Sequence, residues 1–182
     1  MKDAPVEVEA LADGRLVVWS VDESRRLFNT DFFGKPLGNS KPKEDFEEPL
    51  ILDLIEGVYL AERKAIKVKS KGRKMGLAAL KKLAGEKLRG FDSLYAVYND
   101  LREKGFVVTP GIKYGCDFAV YEQGPGIDHA PYIIQVMSRD DQMSAADIVK
   151  AGRLASTVRK TFIAALPGKN GVEYLEFKWW KA

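Results

Sequence analysis

Apolar and polar residues alternate in several short segments of this chain, a pattern typical of half-buried strands. The first two such segments, VEVEAL and RLVVWS, are joined by Asp13-Gly14, a dipeptide that favours tight hairpin turns. We therefore predict an antiparallel hairpin near the start of the chain. A short helix should follow it, with Ser24 as its N-terminal cap.

Residues 34–48 interrupt this regular pattern. Their sequence, GKPLGNSKPKEDFEE, is rich in proline, glycine and charge, so we expect a long exposed loop. Loops of this length are often functional. The next segment, LILDLIEGVYLAERK, has apolar residues at helical spacing, and a short strand, AIKVK, should follow it.

Helical patterns dominate from residue 75 to residue 104, with a break near residues 90–92, where Asp92 is expected to cap the second helix. Ser144 followed by Asp147 indicates the start of a later helix. The remaining segments have the pattern of strands: FVVTP, CDFAVYE, PYIIQVMS, KTFIAALP and VEYLEFKWW. This order of elements predicts a mixed α/β (α+β) fold.

We expect two domains, a small mixed N-terminal domain of residues 1–88 and a C-terminal domain of residues 89–182. In the second domain the order of helix, strands, helix and strand resembles restriction-endonuclease-like folds. The exposed loop at residues 34–48 belongs to the first domain.

Composition is that of a soluble globular protein, since 46% of the 182 residues are hydrophobic and 30% are charged. No apolar run approaches the roughly 20 residues that span a bilayer, and the N-terminus lacks the pattern of a signal peptide. We therefore expect a cytoplasmic protein without a membrane partner. Cys116 is the only cysteine, which excludes an intrachain disulfide and a cysteine metal cluster and favours a small buried residue.

The formal net charge of +3 does not by itself indicate a nucleic-acid partner. Residues 63–89, however, are strongly basic, and such segments can contact phosphates without regard to base sequence. An exposed helix face is the better explanation for most of these lysines.

One histidine, His129, is present, and it stands eight residues after Tyr121 in the turn YEQGPGIDH. Acid–base chemistry near neutral pH commonly uses histidine. A single histidine is more often a surface or structural residue than a catalyst. Its neighbours along the chain, Tyr121, Arg153 and Lys160, favour a chemical role.

From Tyr95 to Lys160 the chain resembles the archaeal tRNA-splicing endonucleases. The segment YAVYNDLREKGFVVTPGIKYGCDFAVYEQGPGIDHAPYIIQV carries that family's helix, its G-x-K-[YF]-G-x-D-F turn and strand, and its tyrosine and histidine in order. RLASTVRK then repeats the family's arginine and lysine, seven residues apart. The N-terminal half is similar mainly at LILDLIEGVYLAERKAIKV.

This resemblance implies an RNA endonuclease that cleaves precursor tRNA at bulge-helix-bulge splice sites without a metal or cofactor. The RNA's own 2′-hydroxyl would attack the adjacent phosphate and leave a 2′,3′-cyclic phosphate and a 5′-hydroxyl. Tyr121 would be the general base, His129 the general acid, and Lys160 the cation that stabilises the transition state. Free tyrosine has a pKa near ~10, so we expect a nearby Lys160 to favour the phenolate.

The resemblance also implies that Arg153 stacks on a flipped base of the RNA. The nearest candidates for a second gripping residue are Lys178, Trp179 and Trp180, although the tryptophans are better explained as subunit-interface residues. In the loop at residues 34–48, RNA contacts are expected from Lys41 and Lys43.

Asp140 and Asp141 match the acidic loop through which family subunits contact one another. The loop at residues 34–48 is similar to lysine-bearing insertions in the heterotetrameric branch of the family. This likeness implies the catalytic subunit of a heterotetramer that contains a separate structural subunit, with a homotetramer as the alternative. Two other functions stay open. One is a metal-dependent DNA nuclease with Asp117 and Glu122 as ligands, although these lack the expected acid-x-lysine spacing, and the other is a noncatalytic structural subunit of the splicing endonuclease.

Overall fold

The computed structural model describes residues 4–39 and 42–177. The chain divides into two compact units, Met1–Phe91 and Asp92–Ala182. Each unit combines one β-sheet with helices, so the predicted mixed α/β class is confirmed.

The N-terminal unit contains a six-stranded sheet with the strand order β3-β4-β2-β1-β5-β6. The predicted hairpin is present, because β1 and β2 pair antiparallel with Ala10 opposite Leu16. β5 then pairs in parallel with β1 on its other side. The elements of this unit are β1 (Val6–Ala10), β2 (Leu16–Val18), α1 (Val21–Asp31), β3 (Lys35–Pro36), β4 (Leu50–Leu52), α2 (Leu54–Glu62), β5 (Ile66–Ser70), β6 (Arg73–Met75) and α3 (Leu77–Lys87).

Two predictions about the N-terminal helices are wrong. Ser20, not Ser24, caps α1, because its side chain accepts a hydrogen bond from the Glu23 amide, while Ser24 is buried inside the helix and donates to the Val18 carbonyl. The first three residues of LILDLIEG form β4 rather than a helix, and α2 begins only after Asp53, which caps it.

The segment at residues 34–48 is held against α1 at several points. Phe46 is buried and its ring packs edge-on against Phe28, 5.5 Å between centroids. Arg25 donates to the carbonyls of Phe46 and Asp45, each at 2.7 Å. Lys43 is exposed. The segment therefore begins with the short strand β3, which the sequence did not predict, and continues as a surface loop with a buried aromatic anchor.

The C-terminal unit contains a five-stranded sheet with the strand order β11-β10-β9-β8-β7. β9 and β10 are parallel, and the other neighbouring strands are antiparallel. The elements of this unit are α4 (Phe91–Glu103), β7 (Val107–Pro110), a 3-10 turn (Ile112–Tyr114), β8 (Phe118–Tyr121), β9 (Tyr132–Val136), α5 (Ala145–Thr157), β10 (Thr161–Gly168) and β11 (Gly171–Phe177). α4 begins one residue before Asp92, so Asp92 lies in its first turn and the prediction that it caps the helix is wrong.

Helices α4 and α5 cover opposite faces of this sheet. On one face Tyr98 of α4 packs near Phe118 of β8, with 6.0 Å between ring centroids. On the other face Ala151 and Ala155 of α5 belong to a buried cluster with Ile133. α5 begins as predicted, with a capping box between Ser144 and Asp147. Tyr121 shares the α5 face, because side chains alternate along β8.

Candidate active site

Three chain segments meet at one end of the five-stranded sheet. Tyr121 ends β8, and residues 122–131 lead from it to β9. Val120 and Thr161 both pair with Tyr132, one from each neighbouring strand. Lys160 directly precedes Thr161, so this register brings Lys160 and Tyr121 to the same end of the sheet, on either side of β9.

The motif GIKYG shapes the turn before β8. A Cβ atom at Gly111 would lie 2.6 Å from the Cys116 sulfur and 2.8 Å from the Cys116 carbonyl oxygen, so this position has no room for a side chain. Gly115 adopts φ 68°, in the left-handed region that glycine tolerates best. The two glycines thereby hold the 3-10 turn and fix the position of Tyr114.

Lys160 is held by the loop and by the Tyr114 ring. Its Nζ donates a hydrogen bond to the Ala130 carbonyl at 2.5 Å and lies 5.0 Å from the centroid of the Tyr114 ring. Its backbone amide donates to the Ala155 carbonyl of α5 at 2.8 Å. The cation is half-buried, and it is attached to the residue that follows His129.

Tyr121 is half-buried beside Thr109 and Tyr114. Burial is the main cause that raises the pKa of its hydroxyl above the ordinary tyrosine value, and the electrostatic influence of Tyr114 and Asp128 acts in the same direction. A hydrogen bond with the Thr109 side chain opposes the shift. Lys160 is not among the groups that shift the pKa of Tyr121, so the lowering that we expected from it is not found, and burial favours the phenol form.

Asp128 closes the loop between Tyr121 and His129. Its Oδ1 accepts the Gly124 amide at 2.8 Å, and its Oδ2 accepts the amides of Gln123 and Glu122 at 3.3 and 3.1 Å. Desolvation alone would raise the pKa of this carboxyl, but the three amide donors outweigh it and lower the pKa. Sequence reasoning missed Asp128, although an aspartate after a glycine-proline turn often binds turn amides.

His129 lies between two anchored residues and is itself exposed. Asp128 holds the loop on one side through three backbone amides, and Ala130 accepts the hydrogen bond of Lys160 on the other. An exposed imidazole on an anchored loop can exchange a proton with a bound ligand. The loop therefore combines a fixed backbone with an accessible titratable group.

Both parts of the chain match a known family. Residues 9–81 match the tRNA intron endonuclease N-terminal domain, and residues 91–174 match the tRNA intron endonuclease catalytic C-terminal domain. The chain is 44% identical to a tRNA-splicing endonuclease of Hyperthermus butylicus, over 92% of this chain and 94% of that protein. It is 43% identical to a tRNA-splicing endonuclease of Saccharolobus solfataricus, over 96% and 99% of the two chains. The chain belongs to the tRNA-splicing endonucleases.

As a member of the tRNA-splicing endonucleases the protein is an enzyme, and a tRNA substrate is consistent with this family. The resemblance noted from Tyr95 to Lys160 is thereby confirmed, and it extends through the N-terminal unit. Tyr121, His129 and Lys160 all lie within the part that matches the catalytic domain.

The residues expected to bind RNA belong to α5 and to the loop at residues 34–48. Arg153 is exposed on α5, on the side away from the buried residues Ala151 and Ala155. Lys43 is exposed in the N-terminal unit. Lys41, Lys178, Trp179 and Trp180 lie outside the described residues.

The two aspartates expected at the subunit interface occupy an exposed turn before α5. Asp141 accepts the Ser138 amide at 2.8 Å, and the Asp140 amide donates to the Ser138 hydroxyl at 3.3 Å. These contacts shape the turn, while both aspartates stay exposed. Arg139, between Ser138 and Asp140, forms an ion pair with Glu173 of β11 that connects the turn to the sheet.

Asp117 has a structural role in this tRNA-splicing endonuclease. Its Oδ2 accepts hydrogen bonds from Gln135 Nε2 at 2.6 Å and from the Val136 amide at 2.7 Å, which connects the start of β8 to β9. Within residues 4–39 and 42–177, no group of three or more histidine, cysteine or carboxylate side chains is arranged to hold a metal ion. Over the same residues, no helix has the length and apolar character needed to cross a membrane.

Proposed function

We propose that this chain is the catalytic subunit that cleaves precursor tRNA at bulge-helix-bulge splice sites, without a metal, by attack of the RNA 2′-hydroxyl. The observation that carries the proposal is that Tyr121, Lys160 and the loop that carries His129 lie at the same end of the C-terminal sheet. A general base, a general acid and a fixed cation are the groups that this reaction requires.

In the proposed reaction the 2′-oxygen forms a bond to the adjacent phosphorus while the bond from phosphorus to the 5′-oxygen breaks. Tyr121, as the phenolate, accepts the 2′-hydroxyl proton, and His129, as the imidazolium, donates a proton to the leaving 5′-oxygen. Lys160 stabilises the negative charge that builds up on the phosphoryl oxygens. The products are a 2′,3′-cyclic phosphate and a 5′-hydroxyl.

The raised pKa of Tyr121 limits how much phenolate is present at neutral pH. Base catalysis by a weakly populated phenolate is still effective, because a stronger base removes a proton more readily. The contact of Lys160 with Tyr114, a neighbour of Tyr121, supports a shared role for these groups.

We further propose that Arg153 stacks on an unpaired base of the substrate, that Lys43 with Lys41 contacts RNA, and that Asp140 and Asp141 contact another subunit. On this proposal the chain works in a heterotetramer with a separate structural subunit, with a homotetramer as the alternative, and it acts in the cytoplasm. Exposure of Arg153, Lys43 and the two aspartates supports these roles.

The decisive experiment incubates the purified chain with a bulge-helix-bulge RNA in excess chelator, alone and with a candidate structural subunit. We expect cleavage that yields 2′,3′-cyclic phosphate and 5′-hydroxyl ends. Cleavage only with the second subunit would support the heterotetramer. Loss of cleavage in chelator, or 5′-phosphate ends, would favour the metal-dependent nuclease, and no cleavage in either mixture would contradict the proposal.

The role of His129 has a sharper test in a substrate whose leaving 5′-oxygen is replaced by sulfur. A thiolate departs without a proton, so this substrate should restore much of the activity of His129→Ala. Tyr121→Phe is the matched control, because loss of the base is not relieved by a better leaving group. Equal rescue of both variants would contradict the assignment.

A further inference from the structure

The hairpin formed by β5 and β6 carries a concentration of positive charge that the site around Tyr121 does not explain. This basic hairpin, Ile66–Met75, contains no acidic residue. Its polar side chains include five exposed cations, Lys67, Lys69, Lys71, Arg73 and Lys74. It therefore presents an excess of positive charge on a short, well-defined element.

Few of these charges are neutralised within the protein. Lys69 pairs with Glu7 of β1 at 2.7 Å. Within residues 4–39 and 42–177, Lys71, Arg73 and Lys74 form no ion pair.

The lysines of the neighbouring helix α3 are different. Lys81 pairs with Glu62, and Lys82 lies 3.9 Å from Glu86. The basic run recognised in the sequence at residues 63–89 thus divides into a helix whose lysines are partly paired and a hairpin whose cations are largely available.

The register of the hairpin places like charges opposite one another. Lys69 of β5 lies directly across from Lys74 of β6. Cross-strand pairs of like charge destabilise an antiparallel ladder. Ile66 and Val68 point to the buried side, so Lys67 and Lys69 share the exposed side of β5. The arrangement has a local energetic cost and concentrates cations on one face.

The turn of the hairpin also contains a residue, Lys71, whose type is disfavoured by the backbone conformation there. Lys71 adopts φ 49° and Gly72 adopts φ 74°, the two positive values of a type I′ turn. Asparagine, aspartate and glycine are the residues preferred at the first of these positions. A lysine there adds a fifth exposed cation to the hairpin at the expense of local stability.

A protective role for the edge strand accounts for only part of this pattern. β6 is at one edge of the six-stranded sheet, and lysine on an edge strand discourages association with another sheet. That role requires cations on β6. It does not require Lys71 in the turn, nor Lys67 and Lys69 on β5, which is paired on both sides.

We propose that the basic hairpin binds the phosphate backbone of RNA and is a contact surface additional to the catalytic unit. This inference rests on the proposed function, which makes RNA the substrate. Closely spaced phosphates match a row of exposed cations, and such contacts are independent of base sequence. The acidic turn of a second copy is a weaker match, since it offers two carboxylates, of which Asp141 already accepts the Ser138 amide.

The test compares two triple variants that each remove three positive charges from the N-terminal unit. K71Q/R73Q/K74Q alters the basic hairpin, and K82Q/K87Q/R89Q alters exposed cations in and after α3. The dissociation constant of each is measured over a series of salt concentrations for an RNA duplex without bulges. This duplex contains no splice site, so binding is measured independently of cleavage.

For the hairpin variant we expect binding weakened roughly tenfold, and a slope of log K against log salt that is smaller by about 2–3, close to one for each lost phosphate contact. The α3 variant should change the slope by less than half as much. Equal effects of the two variants, or a wild-type slope in the hairpin variant, would overturn the inference.

A single substitution, Lys71→Asn, controls for folding. Asparagine is preferred at this position, so the variant should be at least as resistant to thermal unfolding as the wild type while its salt slope falls by about one. Stability that rises without any change in RNA binding would count against the inference. A changed oligomeric mass with unchanged RNA binding would assign the hairpin to a protein contact and would also overturn it.

The same proteins are assayed separately for cleavage of precursor tRNA. Failure of the wild type to cleave would contradict the proposed function while leaving the duplex-binding result to decide the role of the hairpin. Normal cleavage with unchanged duplex binding in the hairpin variant would overturn the inference alone.

Discussion

At the scale of single residues, the environment of Tyr121 controls when it can act as a base. Burial raises the pKa of its hydroxyl, and the Thr109 side chain provides a hydrogen bond that acts against this shift. Only the phenolate can accept a proton. The proposed chemistry therefore depends on the hydroxyl alone, while the half-buried ring lies beside Thr109 and Tyr114.

Tyr121→Phe separates these two contributions. Cleavage of precursor tRNA should fall at least about a hundredfold, the lower end of what a general base contributes, while thermal stability changes little because the ring is retained. Tyr132→Phe is the matched control, since Tyr132 lies on the neighbouring strand and its side chain points to the opposite face. Single-turnover rates measure the effect. A Tyr121→Phe enzyme as fast as Tyr132→Phe would contradict the assignment.

Asp128 acts through the backbone of the loop that carries His129. Asp128→Ala removes the acceptor for the amides of Glu122, Gln123 and Gly124, so these amides should exchange their hydrogens faster. Misplacement of His129 should then lower kcat roughly tenfold to a hundredfold, with a smaller change in KM.

The matched control for Asp128→Ala is Asp13→Ala. Asp13 is also an aspartate in a turn, and its Oδ1 accepts the Arg15 amide at 3.0 Å, but it belongs to the N-terminal unit. This control should leave cleavage unchanged. Unchanged exchange and unchanged kcat in Asp128→Ala would mean that the loop does not depend on the carboxylate.

At the scale of elements, the position of α2 against β2 depends on a glycine. A Cβ atom at Gly57 would lie 2.0 Å from Leu16 Cδ1, and Leu16 is fully buried. Gly85 of α3 offers a contrast, because a Cβ atom there meets nothing within 4 Å. The two glycines share helical backbone and differ only in the space around them.

Alanine should therefore have opposite effects at these two positions. Gly57→Ala forces Leu16 to repack and should lower the free energy of unfolding by about 1–3 kcal/mol. Gly85→Ala relieves the entropic cost of glycine in a helix and should raise it by about 0.5–1 kcal/mol. Urea denaturation of the two variants and the wild type measures both effects. Destabilisation of the same size at both positions would show that packing against Leu16 is not the cause.

The elements that the sequence predicts well are those with a local signal. The alternation in VEVEAL and RLVVWS gives the first hairpin, and Ser144 with Asp147 gives the start of α5. The errors arise where two local signals compete. Ser24 has the residue type of a cap, yet Ser20 occupies the position where the chain turns from β2 into α1.

Within the site, the sequence indicates residue types but not long-range contacts. The spacing of Tyr121, His129 and Lys160 follows from a family pattern, and their position at the same end of the C-terminal sheet depends on the parallel pairing of β9 with β10. The contact of Lys160 with Tyr114 joins residues far apart in the chain, so no local sequence pattern predicts it. The raised pKa of Tyr121 likewise depends on burial that only the fold creates.

At the scale of the whole molecule, the C-terminal unit contains ionisable groups in partly buried positions. In the C-terminal unit the Tyr174 hydroxyl donates to Asp100 Oδ2 at 2.5 Å, and Lys104 forms an ion pair with the same carboxylate. Burial, then the hydrogen bond and the charge of Asp100, raises the pKa of Tyr174. The pKa of Tyr121 is also raised, again mainly by burial.

These raised pKa values make the stability of the C-terminal unit sensitive to alkaline pH. A group whose pKa is higher in the folded than in the unfolded chain stabilises the fold when it is protonated, and that contribution is complete below the ordinary tyrosine pKa of about 10. It is lost as pH rises above this value through the raised pKa of the folded state. The free energy of unfolding of this unit should therefore decrease between about pH 10 and pH 12.

Tyr174→Phe tests this origin of the alkaline loss. The variant loses a hydrogen bond and should be less stable than the wild type at pH 8, but its stability should fall less steeply above pH 10, because one of the groups with a raised pKa is gone. Hydrogen exchange in urea at a series of pH values follows each unit separately. If the variant and the wild type lose stability in parallel above pH 10, ionisation of Tyr174 is not the cause of the alkaline loss of stability in this unit.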